Sequence, residues 1–310
     1  MNFRFLMTSS CVAFAATFAS ASDLGVAKSF NAFIFGSAST SGGHSDGAIA
    51  VGGSWSGGYD MLQHNLPATV GAQSNIGGYV GGSMSFTGGS VNNSGNLYVK
   101  GAFSGSLNMN GGTRFANSPL VDSTVFTSQQ AYSLAQSSAL AAMASQTIAP
   151  DPNVINIDLN AYSIPANGNE KVYTILGSAL NTNTVFNITG GDGNETVVIN
   201  VTGTSVTSHY NGVNYARENR LIWNFADATT INVNNSFYGS ILAPKATINQ
   251  ASNIEGNLIA ASWNDTGSPE LHFGVGKTFD GSLPVPEPAS MAAIGLGLVG
   301  LISRRKRSRA

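Results

Sequence analysis

Glu270 and His272 stand two residues apart, so on a β-strand they share one face and aim a carboxylate and an imidazole at a common point. Two such groups hold a metal poorly, because a catalytic zinc takes three protein ligands, and a structural hydrogen bond is the simpler expectation. His44 with Asp46 offers the same pairing and the same answer, while His64 and His209 have no acidic neighbour in sequence. Gly190-Gly191-Asp192-Gly193-Asn194-Glu195 lies between two strand-like runs, Val185–Ile188 and Thr196–Val201, where Asp-Gly signals a tight hairpin turn. Calcium-binding repeats place Asp two positions after their third glycine, whereas Asp192 precedes Gly193. The densest charged patch, Arg217-Glu218-Asn219-Arg220, has no Asp-rich companion and reads as a solvated loop. No metal, cofactor or catalytic residue is expected, and a polysaccharide lyase or hydrolase lacks the charged cleft it requires.

The chemistry the sequence does carry is at its two ends. Arg4 precedes a largely apolar run from Phe5 to Phe18, and Ala19-Ser20-Ala21 then supplies the small residues that signal peptidase accepts. Cleavage after Ala21 leaves Ser22 at the front of the mature protein. At the other end Pro286-Glu287-Pro288 is followed by an apolar stretch from Ala289 to Ile302 and the basic cluster Arg304, Arg305, Lys306 and Arg307. As a helix the stretch rises about 21 Å at ~1.5 Å per residue, against about 30 Å of bilayer hydrocarbon. Gly295, Gly297 and Gly300 weaken it further, so it suits a transient insertion in the inner membrane, with the basic cluster held in the cytoplasm.

This three-part tail resembles the PEP-CTERM sorting signal. The resemblance implies recognition and cleavage by an exosortase, in a Gram-negative bacterium that makes exopolysaccharide. The expected division is therefore a signal peptide over 1–21, a single domain over 22–283 and a sorting tail over 284–310.

Composition bounds what that domain does. Six of the chain's 14 Lys and Arg lie in the end segments, whereas all 16 Asp and Glu fall between Ser22 and Pro288, leaving the mature part at −8. Nucleic-acid binding is excluded for want of a basic patch. Charged residues make up only 10% of the chain, against a usual ~25%. Glycine (37 residues), Ser, Thr and Asn replace them, which suits an extracellular β-protein with a polar, non-ionic surface. The one cysteine, Cys11, leaves with the signal peptide, so disulfides and thiolate chemistry are excluded.

Ala50-Val51-Gly52-Gly53-Ser54 returns as Tyr79-Val80-Gly81-Gly82-Ser83 and as Tyr98-Val99-Lys100-Gly101-Ala102. Later Ile222, Ile241 and Ile259 centre short apolar runs 19 and then 18 residues apart. Short strands between small-residue corners at this period predict a right-handed β-solenoid, whose rungs bury by stacking what none can bury alone, in preference to a β-sandwich. Thr127 to Gln146 lacks Gly and Pro and predicts one long α-helix packed alongside, capped by Thr127 with Gln130 and facing the solenoid through Tyr132, Ala135, Ala139 and Met143.

Phe35-Gly36, Gly47 to Gly53, Trp223-Asn224-Phe225, Gly239 to Pro244, Ile254-Glu255-Gly256 and Glu270-Leu271-His272 together resemble the choice-of-anchor A domains, over about Leu24 to Leu283. Lys245 departs from the Asn common there. The Trp-Asn, Leu-Ala and Leu-Ile-Ala rungs are more distantly similar to bacterial ice-binding β-helices with a helix alongside. The resemblance implies no enzyme. It implies an exported surface or extracellular-matrix protein, acting by adhesion in the exopolysaccharide layer or biofilm. The alternative is a module with a specific ligand, ice or glycan. Ice would call for regular Thr ranks, and Thr229, Thr230 and Thr247 look scattered along the sequence.

Overall fold

The computed structural model describes residues 23–164, 169–273 and 278–284. The cleavage residues Ala19 and Ala21, the motif Pro286-Glu287-Pro288, the apolar stretch expected to be a tail helix and the cluster Arg304, Arg305, Lys306 and Arg307 lie outside these residues. Among the described residues no helix is long and apolar enough to cross a membrane.

Short runs of β-branched and aromatic residues between glycine corners form strands that stack in parallel, one rung upon the next. The fold of the described residues is a β-solenoid with an α-helix against one side. In spatial order its longest face runs Gln146–Thr147, Glu170–Leu176, Thr196–Thr202, Leu221–Asn224, Ser240–Gln250 and Leu258–Asp265, then Ala32–Ile34, Ile49–Val51, Gln73–Val80, Asn96–Val99 and Arg114–Phe115. Sequence order and stacking order therefore differ. The chain starts in the middle, winds out to Phe115, returns along the flank as the helix, and winds back in from Gln146. Its last long strand then closes on its first, pairing Leu258 with Ala32 and Ile259 with Phe33.

The sequence repeats are these rungs, since Ala50 stacks on Tyr79 and Tyr79 on Tyr98. The isoleucine period is off by one residue. Ile222 pairs with Ser240, and Leu242 with Ile259, giving rungs of 18 and then 17 residues; Ile241 instead sits between Trp223 and Leu258. Ile241 points into the core between the faces, whereas Ile222 and Ile259 point out under the helix and its neighbours.

The helix spans Thr124–Ala142, three residues earlier than expected at its start and four at its end. Thr127 does not cap it. Asp122 Oδ1 accepts from the Thr124 amide and hydroxyl, satisfying donors at the first turn, while the Thr127 hydroxyl turns back to Thr124 O. The expected face is also rotated. Phe126, Gln129, Ser133, Gln136, Ser137 and Leu140 are buried, and Ala135 is exposed. The face is half polar because the sheet beneath it is: Asn200 and Asn224 are themselves buried and donate to the Leu140 and Ser137 carbonyls at 2.9 Å each. Phe126 and Leu140 stand about 21 Å apart at ~1.5 Å per residue, matching the roughly 24 Å between the rungs they cover at ~4.8 Å per strand.

Gly190 to Glu195 forms a turn but no hairpin. Val185–Thr189 pairs with Val154–Asp158 and Thr196–Thr202 with Glu170–Leu176, so the turn is a solenoid corner between two faces. Glu195 closes it by accepting from the amides of Asp192 and Gly193. Arg217 and Arg220 do not form a solvated loop. Arg220 donates to Asn194 O and Glu195 O and pairs with Asp280 at 3.6 Å, and Arg217 lies 3.9 Å from Glu195, so both fasten this corner.

Candidate functional site

A second face of the solenoid carries the most regular surface. Its inward positions Ile231, Ile248, Trp263, Ala38, Trp55 and Met84 stack in register and are buried. The indole N–H groups beneath are satisfied: Trp55 donates to Thr40 and Trp263 to Gln250. Strand alternation then sends the intervening residues outward. Thr207, Asn232, Asn249, Asn264, Ser39, Ser56, Ser85 and Ser104 follow one another across successive strands as one rank. Two residues before it along the first four of these strands, Ser205, Thr230, Thr247 and Ser262 form a second. Of the threonines that look scattered in sequence, Thr230 and Thr247 are thus neighbours across a strand pair, while Thr229 stands outside the ranks.

Within a rank the side chains repeat at about 4.8 Å, and the two ranks lie about 6.7 Å apart, two residues of rise at ~3.3–3.4 Å. The asparagines lock one another in place: Asn249 donates to Asn232 at 2.9 Å, Asn232 to Thr207 at 3.2 Å and Asn264 to Asn249 at 3.3 Å. From Asn264 through Ser104 the first rank is exposed, and neither rank contains an ionisable side chain. Such a surface offers evenly spaced donors and acceptors in fixed positions. It offers no nucleophile, base or cleft.

His44, Glu270 and His272 gather elsewhere. His272 Nε2 lies 3.2 Å from Glu270 Oε2, as their shared face requires. The structure adds what the sequence does not indicate: His44 Nδ1 is 3.1 Å from Glu270 Oε1 and its ring 5.3 Å from that of His272. Asp46 turns from His44 to His64, at 3.4 Å. His272 Nδ1 meets Glu255 Oε1 at 2.8 Å, and that hydrogen bond raises the imidazole above its ordinary 6.5 against the opposing effect of burial. His209 bonds to Asn181 and Asn234. Gly43-His44-Ser45-Asp46-Gly47 also spells the Gly-x-Ser-x-Gly pattern of a nucleophile elbow. Its Ser45 is fully buried, gives its hydroxyl to Gly47 O at 2.8 Å, and leads to the strand Ile49–Val51 with no helix between, so it is no nucleophile.

Residues 23–273 match the family described as an ice-binding-like adhesive domain. The chain belongs to that family. In this adhesive domain the ranked face, the flanking helix and the closing strand pair all fall within the matched span. Residues 284–307 match the PEP-CTERM protein-sorting motif, which implies exosortase processing of an exported, cell-surface protein. Among proteins with curated descriptions none matches the chain.

Several solved structures are similar to the adhesive domain. An ice-binding protein from the Antarctic ascomycete Antarctomyces psychrotrophicus is 16% identical, with 82% of this chain and 98% of that one covered and a TM-score of 0.41. An ice-binding protein from an Antarctic biological consortium is 13% identical, with 87% and 94% covered and a TM-score of 0.41. The DUF3494 domain of a Shewanella frigidimarina ice-binding protein is 13% identical, with 81% and 95% covered and a TM-score of 0.39.

Proposed function

We propose that this adhesive domain, of the choice-of-anchor A kind, is a non-catalytic surface protein that grips a hydrated polymer of the exopolysaccharide layer through its two polar ranks. The observation that carries the reading is the unbroken stacking of Thr207, Asn232, Asn249, Asn264, Ser39, Ser56, Ser85 and Ser104. Each hydrogen bond to such a polymer contributes little, because water competes for the same groups. Many in register, on many copies in a matrix, add by avidity. The test is co-sedimentation of the full chain with the cell's own exopolysaccharide. Ser39→Tyr with Ser56→Tyr, both at exposed positions in mid-rank, should cut the bound fraction at least tenfold and leave polymer chain length unchanged. Undiminished binding, or shortening of the polymer, defeats the reading.

A second reading, ice, is favoured by one observation: Thr230 and Thr247 are register partners, between Ser205 and Ser262, which makes the hydroxyl rank regular. Thermal hysteresis abolished by Thr230→Tyr selects ice over polymer.

Maturation completes the proposal. Signal peptidase cuts after Ala21, and an exosortase cuts near Pro286-Glu287-Pro288 while the basic cluster Arg304 to Arg307 holds the tail in the inner membrane. Glu287→Ala removes the only charge of the motif, so intact-mass measurement should find the tail still attached in that variant and absent from the secreted wild type.

A further inference from the structure

We propose that His44, Glu270 and His272 form a binding site for one divalent transition-metal ion of the Zn2+ type. The three residues come from opposite ends of the chain, meeting because the strand Ala38–His44 and the strand Leu271–His272 end at the same corner of the solenoid. Their ligand atoms all lie within 4.8 Å of one another. His44 Nδ1 lies 3.1 Å from Glu270 Oε1 and His272 Nε2 lies 3.2 Å from Glu270 Oε2, so the two imidazoles approach different oxygens of one carboxylate, each at a separation near the edge of a zinc tetrahedron. Ligands at ~2.0–2.1 Å from the ion stand about 3.3 Å apart there.

The surroundings orient each ligand. Glu255 Oε1, 2.8 Å from His272 Nδ1, holds the ring with Nε2 turned to Glu270, the carboxylate–histidine arrangement that accompanies metal-bound imidazoles. Asn253 grips Glu270 twice, donating to Oε2 at 3.3 Å and accepting from its amide at 3.0 Å. The buried Tyr59 hydroxyl donates to the carbonyls of His44 at 2.7 Å and Pro269 at 3.2 Å, fixing one ligand strand against the other. The three ligand side chains are 24–36% exposed, so an ion enters from solvent and keeps a fourth position for water. Two imidazoles and one carboxylate favour zinc and its transition-metal neighbours over Ca2+ or Mg2+, which want oxygen ligands.

The competing account is a polar network needing no metal, with His272 between Glu255 and Glu270 and His44 against Glu270. The two are separated with the full chain purified in detergent, stripped with EDTA and titrated at pH 7.5 with Zn2+, and with Co2+ for its visible spectrum. Expected are one ion bound per chain at micromolar concentration or tighter, an intense tetrahedral Co2+ band, and a Tm that rises with Zn2+. Ca2+ should do none of these. His44→Ala keeps the Glu255–His272–Glu270 contacts and should weaken Zn2+ binding at least tenfold while the folded circular-dichroism spectrum persists. Glu270→Gln should do the same, and His209→Ala should have no effect. Failure of wild type to take up a stoichiometric ion at 100 µM Zn2+, or equal uptake by His44→Ala, overturns the site and leaves the polar network.

Discussion

Asn224, 1% exposed, shows how much one polar side chain holds here. Its Nδ2 donates to Ser137 O at 2.9 Å and to Asn200 Oδ1 at 2.8 Å, and its Oδ1 accepts from the Ser137 hydroxyl, so it ties sheet to helix and rung to rung. Asn224→Ala strands these partners away from water and should cost about 2 kcal/mol, read as a lower denaturant midpoint with an unchanged slope. In the sequence this residue stood out only through a family resemblance, since an isolated Asn in Leu221–Asn224 gives no sign of what it faces. The Glu270–His272 pair was legible because a two-residue spacing is a statement about strand geometry. His44 was not, because its arrival depends on how many turns the chain makes before it returns.

The helix was legible as an element and misplaced in its details. Absence of Gly and Pro marks it, but small apolar residues mark a buried face only over an apolar sheet, and Asn200 and Asn224 make this sheet partly polar. Its start is set by Asp122, whose carboxyl is held below its ordinary 3.8 by hydrogen bonds from the Thr124 hydroxyl and amide. A lowered folded value means the contribution is present above about pH 3.8 and lost as pH falls through the folded value. Asp122→Ala should therefore lower the Tm at pH 7, with the gap to wild type closing in acid below that value. Glycines mark another element-scale constraint. Gly57 has φ +114° and a Cβ there would sit 1.7 Å from Thr40 O, so Gly57→Ala should destabilise by about 3 kcal/mol or more, measured by chemical denaturation.

For the whole molecule, the sequence period announced stacked rungs, yet nothing in it announced their order. Periodicity reports the length of a rung, whereas the neighbour of a rung is settled by which exposed edges meet, and here the first strand and the last long strand meet in the middle. Phe33 and Ile259, 0% and 1% exposed, sit at that junction. Stacks of this kind open from their ends, and these ends are Arg114–Phe115 and Gln146–Thr147, far from the chain termini. Hydrogen exchange should accordingly be slowest at Ala32–Ile34 and Leu258–Ala260 and fastest at those mid-chain strands, the reverse of a solenoid wound in sequence order. The two polar ranks have a consequence of their own for the setting in which the protein works. Dissolved ions weaken attraction between charges, with a Debye length of about 10 Å at 0.1 M salt, but they find no charge in these ranks to screen. A hold made by hydroxyls and amides is indifferent to whether the surrounding water is fresh or marine, and the bound fraction should stay level from dilute buffer to brine.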